Sequence, residues 1–141
     1  MLFRSRSVRT SKPDLDARNW LTNQYSNEDQ QVICQMCEQE MPFKTREGNY
    51  YFEAVEMFPD AGIEFHELFL ALCPLCAAKY KELVKRDKEV VAALRQSLLC
   101  GNDTNKVSLN IQQIPNTIRF VDAHLFDLKI IVKDELKKIS E

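Results

Sequence analysis

Apolar positions recur along this chain in two rhythms, and each rhythm predicts an element. From Pro13 to Tyr25 the rhythm is helical: Leu21 and Tyr25 lie one helical step apart with Trp20 beside them, and Pro13 and Asp14 suit a first turn. The polar run Ser26-Asn27-Glu28-Asp29 ends that helix, and Val32-Ile33 leads as a short strand into Cys34. Arg46-Glu47-Gly48-Asn49 reads as a turn. Tyr50 to Phe58 is the most strand-like stretch, rich in aromatic and β-branched residues. Alternation would set Tyr50, Phe52 and Ala54 on one face and Tyr51, Glu53, Val55 and Met57 on the other. Pro59-Asp60-Ala61-Gly62 breaks this strand, and a second apolar run, Phe69-Leu70-Ala71-Leu72, enters Cys73.

The helical rhythm returns from Lys79 to Leu99, where Tyr80, Leu83, Val84, Val91, Leu94 and Leu98 form one stripe. Lys81, Lys85, Arg86 and Lys88 fall on its solvent side. After a Gly101-Asn102-Asp103 turn, Val107 to Ile111 alternates as a strand. Thr117 to Val121 pairs with it across a turn at Pro115-Asn116. A last helix begins near Asp122, a residue able to cap it, with Leu125, Leu128, Val132 and Leu136 as its apolar face. Lysines at 133, 137 and 138 suit its C-terminal end.

The 141 residues suffice for one domain with its own core, and apolar and charged fractions of 45% and 28% are those of a globular protein. No apolar run approaches the roughly 20 residues that span a bilayer. The first segment lacks the apolar region of a secretory signal, so an intracellular, cytoplasmic protein is expected. Arg4, Arg6, Arg9 and Lys12 give the first twelve residues a charge of +4, while the remainder carries 15 basic against 21 acidic residues. Residues 1–12 therefore read as a flexible basic arm, and the chain looks like part of a longer protein. Such an arm is either a solvated tail or a contact for nucleic acid.

Cysteine usage changes the picture most. Cys34-Gln35-Met36-Cys37 and Cys73-Pro74-Leu75-Cys76 are two Cys-x-x-Cys knuckles separated by 35 residues. Two thiolate pairs complete a tetrahedral four-sulfur site, for which zinc is the expected structural metal and iron the minor alternative. Independent redox motifs are the other reading, but neither knuckle has the βαβ context of one. The order knuckle, hairpin, knuckle, helix is the treble-clef arrangement, and thiolates at a helix start gain from its unsatisfied N–H groups. Cys100 remains over and reads as a small buried apolar residue.

The run Val32 to Tyr80, with CQMC, YYFEAVEMF and LALCPLCAAKY, resembles the HNH endonuclease fold. The resemblance implies a zinc-stabilised treble clef. It also implies histidines where this chain has Val55-Glu56 and Ala77, and therefore argues against the nuclease activity. The whole pattern is further similar to a C-terminal module of large bacterial proteins, some carrying a sacsin-type ATPase region.

The expected architecture is α+β: residues 13–141 form a single zinc-binding domain with a treble-clef core over 32–99, an N-terminal helix, and a C-terminal β-hairpin plus helix. The expected function is non-catalytic recognition of DNA or a partner protein. Arg4, Arg6, Arg9, Lys44, Arg46, Lys81 and Lys85 are the candidate nucleic-acid contacts. Glu82, Asp87 and Glu89 interleave with the helix lysines, so a solvated mixed-charge face is the bland reading. The alternative function is a divergent metal-dependent nuclease using Glu56, at the general-base position, or His66 in the loop before the second knuckle. His124 reads as a satisfied helix-end or core histidine. With three glycines in all and no phosphate-loop pattern, a nucleotide cofactor is not expected.

Overall fold

A computed structural model describes residues 13–59, 65–100 and 105–140, with side chains from Ala17 to Glu135. The basic arm, and with it Arg4, Arg6 and Arg9, lies outside the described residues. So do the turn at Gly101, most of the break after Pro59, and the side chain of Leu136. The described residues form a mixed α+β structure with four α-helices and two small antiparallel sheets.

Helix α1 spans Pro13–Tyr25 and buries Ala17, Leu21 and Tyr25. It ends where Asn27 folds the chain back: its Oδ1 accepts the N–H groups of Asp29 and Gln31, both at 2.9 Å. Ser26 then bridges Val32, and Ile33 bridges Glu40. The expected strand at Val32-Ile33 is thus a pair of isolated bridges flanking the first knuckle.

The strand expected over Tyr50–Phe58 is real only at its centre, as β1 (Glu53–Glu56). The reason is a change of partner. Tyr51 donates its N–H to Phe43 at 2.9 Å and Tyr50 bridges Lys44, whereas Glu53 to Glu56 pair with Leu72 to Phe69 of β2 (Phe69–Leu72). Both faces of the expected alternation are covered, Phe52 on one and Val55 and Met57 on the other, and Phe58 beyond the strand is buried as well. Every residue of β2 is buried, as its unbroken apolar run requires.

The single helix expected from Lys79 to Leu99 is three pieces. Helix α2 (Pro74–Lys79) follows Cys73 directly, with Pro74 in its first turn, and continues as a π turn over Tyr80–Val84. That turn closes with the Lys85 N–H on the Tyr80 carbonyl at 2.9 Å. Asp87 then stops the run and caps a new helix, α3 (Lys88–Leu99), by accepting the N–H groups of Glu89 and Val90. The expected stripe survives the break: Tyr80, Val84, Val91, Leu94 and Leu98 are buried. Cys100 lies just past this stripe and is exposed, which corrects the buried reading; its thiol faces the Gln96 side chain at 3.7 Å.

The C-terminal hairpin joins β3 (Lys106–Ile111) to β4 (Ile114–Arg119). Its turn is Gln112-Gln113, not Pro115-Asn116. Both glutamines have positive φ, 51° and 67°, the signature of a two-residue type I′ turn. Pro115 instead pairs with Asn110, next to the closing Ile111–Ile114 pair, where a strand residue needs no inward N–H. Val107, Leu109 and Ile111 alternate into the core as expected. Helix α4 (Asp122–Ser140) buries Leu125, Leu128 and Val132. Asp122 is its first residue, and the carboxylate takes the Asn105 amide at 2.6 Å.

One core runs through all these elements, and a polar pin crosses it. His124 is fully buried between Tyr25, whose hydroxyl lies 2.7 Å from Nδ1, and the Glu67 carbonyl, 2.9 Å from Nε2. A carbonyl only accepts, so Nε2 carries the proton and Nδ1 accepts from Tyr25. The Tyr25 hydroxyl in turn accepts the Val121 N–H at 3.2 Å. Trp20 and Phe120 pack edge-on to the imidazole. Burial holds the His124 pKa down to about 4, because the charged form would lose its hydration.

Candidate metal centre

Each cysteine is delivered by a different local device. Cys34 donates its N–H to the Gln39 carbonyl and accepts that of Glu38 on its own carbonyl, closing the first knuckle as a tight turn. Glu38 takes φ 60°, which redirects the chain out of that turn. Cys73 is the extended residue preceding α2, and Cys76 sits in the first turn of that helix.

The four Sγ atoms converge within 4.8 Å of one another, and those of Cys37 and Cys73 lie 3.9 Å apart. A tetrahedral zinc with Zn–S of about 2.3 Å has sulfur–sulfur edges of about 3.8 Å. The separation is far beyond the roughly 2.05 Å of a disulfide, and all four thiols are free. Four cysteines can therefore hold one metal ion.

The electrostatics also fit a cation. The Cys34 pKa is lowered to about 5, first by the Cys76 thiol donating to it and then, against burial, by backbone N–H groups of Cys73, Cys37 and Met36. The Cys73 N–H lies 3.4 Å from the Cys34 sulfur. The Cys76 thiol, as donor to that thiolate, is pushed well up. Cys37 is raised to about 11 by burial and by the neighbouring charge. Four thiolates this close repel one another, and a divalent cation at their centre reverses that penalty.

Sequence reasoning missed the residue that ties this centre to the fold. Gln35, inside the first knuckle, is completely buried and makes four hydrogen bonds. Its N–H donates to the Ala71 carbonyl at 3.0 Å, and its Oε1 accepts the Ala71 N–H at 2.8 Å. Its Nε2 donates to the Arg119 carbonyl, and its own carbonyl accepts the Arg119 N–H, both at 2.8 Å. The knuckle is thereby stitched to β2 on one side and β4 on the other. The one signal available was a polar amide between two ligands, a position as easily read as solvent-facing.

The remaining candidates are scattered. Glu56 pairs with Lys85 at 3.3 Å and Glu53 with Lys81 at 2.6 Å, so the two lysines expected to face phosphates hold carboxylates instead. Residues three apart in a strand point to opposite faces, and each glutamate is met by its own lysine, whose long stem carries the ammonium to it. His66 stacks on Trp20 at 4.4 Å and lies 3.4 Å from the Glu67 carboxylate. Lys44 sits over the Tyr50 ring, 4.8 Å from its centroid, and Tyr50 donates its hydroxyl to Glu40. Arg46 is exposed at the neighbouring turn. Phe43 is also exposed, its ring parallel to Tyr51 at 5.1 Å. Among the described residues no helix is long and apolar enough to cross a membrane.

No family model, no curated protein and no solved structure matches this chain.

Proposed function

We infer that this chain is a non-catalytic, zinc-stabilised recognition module of the treble-clef type, serving as part of a larger protein. The convergence of four sulfurs from two knuckles carries this reading. The element order supports the treble clef: first knuckle, the β1–β2 hairpin, then the second knuckle opening α2. Zinc is favoured because four soft thiolates in a tetrahedron suit it best. Four protein ligands leave no open position on the ion, so its task is to hold the fold.

Two observations support the absence of catalysis. Val55 and Ala77, which stand where the HNH resemblance expects histidines, are core residues at 4% and 0% exposure. The Glu56 carboxylate is engaged by Lys85. The nuclease alternative, acting through Glu56 or His66, is tested by incubating DNA with the chain and Mg²⁺ or Mn²⁺. Cleavage abolished by Glu56→Ala or His66→Ala would overturn the non-catalytic reading.

The partner is DNA or a protein. With Lys81 and Lys85 paired, Lys44 and Arg46 are the candidate phosphate contacts within the described residues, beside the exposed Phe43 ring. DNA binding through them falls steeply between 50 and 200 mM salt, and Lys44→Glu with Arg46→Glu weakens it about tenfold or more. Absence of binding to any duplex or single strand at low salt leaves the protein partner.

A further inference from the structure

The four candidate ligands differ in access. Cys34 and Cys76 are buried, Cys37 is exposed and Cys73 is partly buried. These two more exposed residues are also the pair whose sulfurs lie 3.9 Å apart, and they belong to different knuckles, 36 positions apart in sequence. Bringing them to the roughly 2.05 Å of a disulfide needs about 1 Å of movement from each. We propose that the Cys37–Cys73 edge is an oxidation site, at which a hydroperoxide links the two knuckles covalently and the metal ion leaves. The ion's departure rests on the zinc reading above; the choice of cysteines rests on access, at a separation short enough to close.

The chemistry balances with peroxide as the two-electron oxidant. The Cys37 thiolate attacks one peroxide oxygen, breaking the O–O bond and giving a sulfenic acid and hydroxide. The Cys73 thiolate then attacks the sulfenic sulfur, forming the S–S bond and expelling a second hydroxide. Solvent protons convert both hydroxides to water, and the ion keeps its oxidation state. Access selects the attacking residue: peroxide reaches the exposed Cys37 before the buried Cys34 or Cys76. This matters because every other pairing of the four, within a knuckle or across the two, requires Cys34 or Cys76, both of which are buried.

The consequence is a change of staple. The disulfide joins the same two knuckles that the ion joined, and the Gln35 bonds to Ala71 and Arg119 lie outside the reacting edge. The oxidised, metal-free chain should keep its fold, whereas the reduced chain stripped by a chelator should not.

The test uses the zinc-loaded full chain carrying Cys100→Ser, which removes the exposed fifth thiol. After a few equivalents of hydrogen peroxide, free thiols are alkylated under denaturing conditions and the disulfides mapped by peptide mass spectrometry. Released zinc is followed with a chromophoric chelator. The expected first product is a Cys37–Cys73 disulfide formed in step with one zinc released per chain. A first disulfide in any other pairing of the four, or sulfinic acid at Cys37 without a cross-link, overturns the proposal. A chain that binds no zinc before peroxide is added refutes the metal reading instead, and the same map on that chain still decides which cysteines pair.

Discussion

Replacing Gln35 by alanine should cost far more than its place in a surface-like turn suggests. The substitution removes two side-chain hydrogen bonds, to the Ala71 N–H and the Arg119 carbonyl. Ala71 is completely buried, and its N–H points away from β1, so nothing replaces the lost acceptor. An orphaned buried polar group costs about 1–3 kcal/mol. The two together, with the small void left by the side chain, give about 2–5 kcal/mol. That is a large fraction of the roughly 5–15 kcal/mol that holds a typical domain. Gln35→Glu keeps the acceptor for Ala71 but sets a carboxylate oxygen against the Arg119 carbonyl, and should be at least as damaging. Urea unfolding at fixed free zinc, followed by tryptophan fluorescence, measures both. Trp20 is the single tryptophan and reports from α1, so its signal reads global unfolding. A loss for Gln35→Ala below about 0.5 kcal/mol, the range of ordinary surface substitutions, would refute the junction role.

Three further outcomes follow from single features. His124 is neutral when folded, with its pKa lowered from 6.5 to about 4, so its contribution is complete above about pH 6.5 and is lost as pH falls towards 4. The loss is up to about 3 kcal/mol. The difference in urea midpoints between wild type and His124→Asn should therefore shrink across that window; a difference constant with pH contradicts the assignment. Asp87→Ala should cost about 1 kcal/mol by removing the α3 cap, measured by thermal unfolding, with no change in metal content. Replacing Gln112-Gln113 by Asn-Gly should raise the melting temperature, because both positions already hold positive φ that asparagine and glycine tolerate better.

The local chemistry of this chain was legible where one residue type dictates the geometry. The knuckle spacing implied the four-sulfur cluster, the Val107-Leu109-Ile111 alternation implied the C-terminal strand, and Tyr80 to Leu98 implied the buried helical stripe. It was illegible where a partner distant in sequence decides. Tyr50 to Phe58 has one composition but pairs with two different segments, and composition cannot register that change. Asp87 looked like one more charge on a helix surface, yet a carboxylate that captures two N–H groups restarts the helix there. Pro115-Asn116 is a sound turn signal, overridden because the register of β3 against β4 places the reversal at two glutamines. The pairing of Lys81 and Lys85 with Glu53 and Glu56, the burial of Gln35, and the identity of the partners that satisfy the core His124 likewise depend on contacts that no local window contains.

The metal centre is tested most directly by X-ray absorption at the zinc edge on the purified, zinc-loaded chain. The proposed zinc site predicts one zinc per chain with four sulfur neighbours at about 2.3 Å and no nitrogen or oxygen ligand. A chain that binds no zinc, or a spectrum requiring histidine or water in place of any of Cys34, Cys37, Cys73 or Cys76, contradicts it.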